Sequence, residues 1–205
     1  MAPMSAVPGF LPSTNGLHFA NRFPESPLIR IGPIATNLFG LADASNGLCG
    51  GMAWFVRERF EAGQPIPEDG EPPANGSPLF RTLFDRQLRS LEWFRTPTRF
   101  WWIGAFGADR TASRARDLEW PGIRARIEGG HLAMVGLVRQ QGVNPVNLQK
   151  SHQVLGYGFD TQGDGVTLRI YDPNWPDRDD VTISIEPTAI RQSTGEGLFG
   201  ILSLD

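Results

Sequence analysis

A single cysteine offers the clearest chemistry in this sequence. Cys49 is the only cysteine among 205 residues, and it lies within Asn46-Gly-Leu-Cys-Gly-Gly-Met-Ala-Trp-Phe55. An amphipathic pattern begins where these glycines end, so we predict that Cys49 starts a helix. Unpaired N–H groups and the partial positive charge of a helix N-terminus stabilise a thiolate, the reactive form of cysteine. The alternative is that Cys49 is a small buried apolar residue, as most lone cysteines are.

A histidine and an aspartate in the second half of the chain could complete a site with this cysteine. His152 begins one strand-like stretch and Asp172 ends the next. A hairpin centred on Gln162 would place them directly opposite each other, where Cβ atoms are about 4.5–5.5 Å apart. The carboxylate would then orient the imidazole, and the imidazole could deprotonate Cys49. A one-residue register slip would put the two on opposite faces of the sheet.

Each of these residues also has a purely structural interpretation. A lone histidine is commonly a surface or satisfied core residue, and an aspartate before proline is common in turns. The other two histidines are weaker candidates for a base, since His131 is flanked by an apolar run and His18 lies in a proline-rich segment. We favour His152 because it coincides with Asp172 and with a cysteine at a glycine-rich helix start.

Hydrophobic periodicity predicts helices before residue 129 and strands after it. Apolar residues at helical spacing predict four helices, over 49–62, 78–94, 111–118 and 121–128. Apolar runs separated by turn residues predict five strands, over 131–138, 154–159, 166–171, 181–185 and 198–204. Helices followed by strands indicate an α+β fold with a mainly antiparallel sheet.

The length of 205 residues fits a single domain, in which we distinguish three parts. Residues 1–36 are rich in proline, so we expect an extended arm laid over the domain surface, with at most short strands. Residues 37–128 form the predicted helical half, and residues 129–205 form the predicted β half. A proline-rich loop over 64–77 separates the first two long helices and, with the chain before Cys49, is expected to border the substrate cleft.

Composition argues against several classes of partner. The net charge of −3 gives no reason to expect nucleic acid. The arginines between 81 and 126 alternate with acidic residues as on a solvated, ion-paired helix surface. One cysteine and three histidines argue against a Cys/His zinc site, and the acidic stretch 172–180 lacks the spacing of an EF-hand, so no cofactor is expected.

The sequence contains no apolar run long enough to span a membrane and no secretory signal. We therefore expect no membrane partner. A cytoplasmic location is the default expectation, and export by a route without a cleavable signal is left open.

These motifs resemble the papain-like cysteine peptidase superfamily, and most nearly a bacterial, peptidase C39-like set of uncharacterised proteins. There, the nucleophilic cysteine begins the central helix, and the histidine and an Asn or Asp lie on adjacent strands of the following β half. The matching segments are Cys49-Gly-Gly-Met-Ala-Trp54, His152-Gln-Val-Leu-Gly-Tyr-Gly-Phe-Asp160 and Tyr171-Asp-Pro-Asn174. The resemblance covers residues 40–186 and implies a papain-like fold.

The same resemblance implies acyl transfer through a thioester, normally hydrolysis of an amide bond in a peptide or protein. Cys49 would be the nucleophile, His152 the general base and acid, and Asp172 the residue that orients His152. Deamidation, or transfer to an amine, would use the same residues. The competing class is a catalytically idle papain-like domain that binds a peptide or protein partner.

One position departs from the pattern of that superfamily. Papain-like enzymes have a glutamine six residues before the cysteine, which helps to bind the oxyanion, but this chain has Asp43 there. Asn46 carries an amide that could replace it, and an oxyanion donor is commonly worth about 3–4 kcal/mol. Asn46 is equally typical of a turn residue before Gly47.

Overall fold

The computed structural model describes residues 5–23, 48–93, 108–139 and 152–205, without the side chains of 91–93 and 108–110. Its helices are α1 (Pro12–Asn15), α2 (Cys49–Glu61), α3 (Pro78–Trp93), α4 (Ala108–Arg114), a π-helical segment (Ala115–Glu119) and α5 (Trp120–Glu128). Its strands are β1 (Ser5–Ala6), β2 (Ala133–Val138), β3 (His152–Gln162), β4 (Gly165–Tyr171), β5 (Thr182–Ile185), β6 (Ile190–Gln192) and β7 (Gly200–Ser203). The predicted α+β class is confirmed.

The strands form one antiparallel sheet in the order β6-β5-β4-β3-β2-β7. Strand β3 is long enough to pair with β4 on one side and, on the other, with β2 along its first half and β1 near its end. The three-residue β6 was not predicted from the sequence, and the two-residue β1 lies in the N-terminal segment, where at most short strands were expected. Such short strands leave too little alternation for a periodicity argument.

Helix α2 packs against both α3 and β3, and two glycines permit this close approach. A Cβ on Gly51 would lie 2.0 Å from the carbonyl oxygen of Leu83, so only glycine fits against α3 there. A Cβ on Gly50 would lie 2.6 Å from the side chains of both Gln153 and Ser90. The glycines after Cys49 therefore let the start of α2 sit directly against its neighbours, which holds Cys49 in place.

The N-terminal segment 5–23 belongs to the core, whereas we expected an arm laid over the surface. Its buried apolar side chains are Val7, Phe10, Leu17, Phe19 and Phe23. The Phe10 ring packs edge-on against Phe60 of α2, with their centroids 5.0 Å apart. Proline keeps the segment from forming a long helix, as expected, and its aromatic side chains are buried in the core instead of lying on the surface.

The helical stretch before the sheet is continuous, although the sequence predicted two separate helices there. Helices α4 and α5 are joined by the π-helical segment, so Ala108–Glu128 forms one run. Pro121 is the second residue of α5 and follows the π-helical segment closely, so it does not end the helical run as the sequence had suggested. Glu119 of the π-helical segment is buried and accepts the backbone N–H of Ser203 at 3.0 Å, which ties this stretch to β7.

Some sequence predictions fall outside the described residues, including the position of Asp43 and the structure of residues 24–36. Where helices are described, none combines the length and the apolar character that a membrane span requires.

Candidate catalytic site

The predicted nucleophile is the first residue of α2. Leu48, which precedes it, has no side chain that could cap the helix, but its N–H donates to the Asn21 side-chain oxygen at 2.6 Å. The first backbone hydrogen bond of the helix runs from the Met52 N–H to the Leu48 carbonyl oxygen at 2.8 Å. A residue of the N-terminal segment therefore fixes the backbone immediately before Cys49.

Among the residues that the structure describes, only some of the N–H groups at the start of α2 have a hydrogen-bond acceptor. The Gly51 N–H donates to Oε1 of Gln87 on α3 at 2.8 Å. Among the described residues, no acceptor lies within hydrogen-bonding distance of the N–H groups of Cys49 and Gly50. Within the described part of the chain, these two backbone donors lack an acceptor, and they lie next to the sulfur with the positive end of the helix dipole behind them, where an oxyanion would form.

The structure brings together all three predicted residues, although they come from α2, β3 and the end of β4. His152 Nε2 lies 2.6 Å from Asp172 Oδ1, and the Cys49 thiol lies close enough to the imidazole for each group to shift the pKa of the other. The exposed fractions are 7% for Cys49, 5% for His152 and 1% for Asp172. Because Nε2 is occupied by the carboxylate, Nδ1 is the imidazole nitrogen left for the sulfur.

The register that produces this contact differs from the predicted one. The turn of the hairpin is Gly163-Asp164, because Gln162 pairs with Gly165. Continued without interruption, this register would place Leu155 opposite Asp172 and put His152 on the other face. His152 and Asp172 can meet because the register between β3 and β4 shifts before it reaches them.

A β-bulge in β3 brings His152 back to the same face of the sheet as Asp172. Gly158 pairs with Arg169 and Gly156 with Ile170, so Tyr157 is an extra residue without a partner on β4. The shifted register pairs Leu155 with Tyr171, so Val154 lies opposite Asp172 and His152 lies two residues further along on the same face. Such diagonal neighbours have Cα atoms about 7–8 Å apart, which an imidazole and a carboxylate can bridge.

The charges of the three groups support one another. Burial by itself raises the pKa of the Cys49 thiol, but the His152 charge, its hydrogen bond and the backbone N–H of Gln153 outweigh burial and lower it. Burial works against the imidazolium too, but Asp172 and the thiolate raise the pKa of His152 to about 10. Burial also raises the pKa of the Asp172 carboxyl, but His152, the Asn174 N–H and Gln192 together lower it. The three shifts together favour the charged forms of the site, a thiolate, an imidazolium and a carboxylate.

Sequence analysis missed Gln192, which contacts the site from β6. Its side-chain Nε2 donates to Asp172 Oδ2 at 2.7 Å, and both side chains are buried. Ile190, Arg191 and Gln192 alternate as buried, exposed and buried, so this glutamine takes a core position. A polar residue at an apolar position of a short strand was the only available signal in the sequence.

Asn46, the candidate oxyanion donor, lies outside the described residues. The acidic stretch 172–180 folds against the N-terminal segment, where Asp179 accepts both the N–H and the hydroxyl of Ser13 and Asp177 contacts His18. Within the described part of the chain, no three His, Cys, Asp or Glu side chains are grouped so that they could hold a metal ion. An open cleft borders the proline-rich loop at residues 69–74 and 77–79, and none of the three site residues lines it.

The geometry defines a class of site, a buried Cys–His–Asp arrangement on an α+β scaffold. Comparison of the chain with protein-family models, with curated proteins and with solved structures finds no match. The arguments about function therefore come from the site itself.

Proposed function

We propose that this protein is a thiol hydrolase that cleaves an amide bond of a peptide or protein through an acyl-enzyme on Cys49. The observation that supports the proposal best is that His152 is hydrogen-bonded to Asp172 and acts on the Cys49 thiol, with all three residues buried. A hydrogen-bonded nucleophile and base, with the base oriented by a third group, is the arrangement that covalent catalysis requires. Papain-like architecture remains part of this proposal.

The reaction follows from the charge state of the site. The Cys49 thiolate attacks the amide carbonyl carbon, and the Cys49 and Gly50 N–H groups donate to the oxygen as it becomes negative. The His152 imidazolium gives its Nδ1 proton to the amide nitrogen, the C–N bond breaks, and an amine leaves. The resulting thioester is attacked by water, from which neutral His152 takes a proton, and the acid product leaves as the thiolate forms again.

A search for cleaved peptides tests this proposal directly. A complex peptide mixture is incubated with wild type and with Cys49→Ala, and both digests are analysed by mass spectrometry. We expect new chain ends with wild type only. Mass gains at glutamine or asparagine without new ends would indicate deamidation by the same residues. If wild type and Cys49→Ala bind the same peptides equally and neither changes them chemically, the hydrolase is contradicted and a catalytically idle peptide-binding domain is favoured.

The pH dependence of cleavage is a second expected result. The pKa of Cys49 is lowered and that of His152 is raised to about 10, so the reactive ion pair exists between the two values. With a cleaved peptide in hand, kcat/KM should rise as the thiol ionises at a pH below 9.0, stay level, and fall near pH 10 as His152 loses its proton. An ascending limb centred at the ordinary thiol value of 9.0 would contradict the ion pair.

A further inference from the structure

Asp172 has more hydrogen-bond donors than its contact with His152 requires. Oδ1 receives His152 Nε2 at 2.6 Å and the Asn174 N–H at 2.9 Å, while Oδ2 receives Gln192 Nε2 at 2.7 Å. The carboxylate is almost fully buried, with 1% of its residue surface exposed. A buried carboxylate stays ionised only when its oxygens are hydrogen-bonded, so each donor contributes to its charge state.

The position of Gln192 in the sheet explains how it reaches this oxygen. Strand β5 pairs with β4 only over residues 166–169, so Asp172 lies beyond the end of that ladder. Gln192 pairs with Ile183 on the outer side of β5, and its side chain extends past β5 to the carboxylate. Strand β6 supplies none of the three site residues, but its Gln192 contacts Asp172.

We propose that Gln192 is a positioning residue, whose amide holds the Asp172 carboxylate ionised and aimed at His152 and thereby keeps Cys49 reactive. This inference rests on the proposed thiol chemistry. Packing alone does not require an amide here, because a buried position on a β-strand is filled well by an apolar side chain. Removing the amide would take from buried Oδ2 its one donor among the described residues, which favours the protonated carboxyl and so weakens the support for the imidazolium.

The effect should be visible in the titration of Cys49, since few other groups act on this site. Among the described residues, the titratable groups that act on His152 are Asp172, from the end of β4, and Cys49, from α2. Tyr171 also senses the Asp172 charge, but burial raises the pKa of its hydroxyl, so it remains protonated through the relevant range.

The test compares the rate of Cys49 alkylation by iodoacetamide, followed by intact mass, from pH 4 to pH 10. Gln192→Met keeps the length of the side chain and removes the donor. We expect its midpoint to move up by about one pH unit, with about 10-fold slower labelling below the wild-type midpoint. Arg191→Met, on the exposed side of the same strand, is the matched control and should follow the wild-type curve.

A purely structural role for Gln192 would lower the urea midpoint of unfolding without moving the titration. An unmoved titration in folded Gln192→Met would therefore overturn the proposal. If Gln192→Met does not fold, Gln192→Asn, whose amide is one methylene short of Oδ2, should show the same upward shift, and its absence would likewise overturn the proposal. A wild-type midpoint already near 9.0 would instead overturn the ion pair behind the proposed function, and the role of Gln192 with it.

Discussion

Replacing His152 by alanine is expected to slow alkylation of Cys49 at pH 6 by about 100-fold or more. In wild type, the imidazolium lowers the pKa of the thiol despite burial. Without it, burial raises the pKa of Cys49 above its ordinary value of 9.0, so fewer than about one thiol in a thousand is ionised at pH 6. The alkylation rates of wild type and His152→Ala are measured with iodoacetamide at pH 6 and followed by intact mass.

The other two histidines supply matched controls for this experiment. His18 contacts Asp177 and His131 lies near Glu61, so neither imidazole reaches the sulfur. His18→Ala and His131→Ala should therefore be labelled at the wild-type rate. Equal rates for wild type and folded His152→Ala would mean that Cys49 is not activated by His152, and would remove the main support for the hydrolase.

Replacing Gly51 by alanine is expected to lower the free energy of unfolding by about 3 kcal/mol or to prevent folding. The new Cβ would lie 2.0 Å from the Leu83 carbonyl oxygen and 3.0 Å from the Gln87 backbone nitrogen, so it meets backbone of α3. Backbone cannot rotate away as a flexible side chain can, so α2 and α3 must separate. Urea unfolding followed by circular dichroism measures the change.

Gly122→Ala is the control for this substitution, because Gly122 is also helical. Its new Cβ would lie 3.4 Å from the Ser203 hydroxyl, an ordinary contact. Alanine in a helix interior is better than glycine by about 0.5–1 kcal/mol, so this variant should be unchanged or more stable. Similar stability losses in both variants would mean that the close approach of α2 to α3 does not depend on Gly51.

Much of the architecture follows from local patterns. The predicted helix over 49–62 is α2 (Cys49–Glu61), and the helix over 78–94 is α3 (Pro78–Trp93). Both predictions succeed because an apolar stripe at helical spacing, ended by glycine or proline, has few other interpretations. The longer strands were also found, with boundaries that differ by a few residues.

The contact between His152 and Asp172 was predicted, but for a reason that the structure corrects. Local sequence indicates a hairpin between them, whereas its register depends on the turn and on the bulge at Tyr157. The side chain of Tyr157 is buried and its hydroxyl donates to the Asp179 carbonyl oxygen at 2.9 Å. The sequence of β3 alone does not indicate that Tyr157 lacks a partner on β4, because pairing depends on both strands.

The sequence by itself determined the elements and the chemical types: a cysteine at a helix start, a histidine at a strand start and an aspartate at a strand end. Only the tertiary structure decided that these three meet, that Gln192 holds the carboxylate, and that Asn21 fixes the backbone before Cys49. The reason is physical, since helix and strand preferences depend on neighbours in the chain. Contacts between residues as far apart in the chain as Cys49 and His152 depend on which surfaces pack together, and on a bulge that shifts a whole strand by one residue.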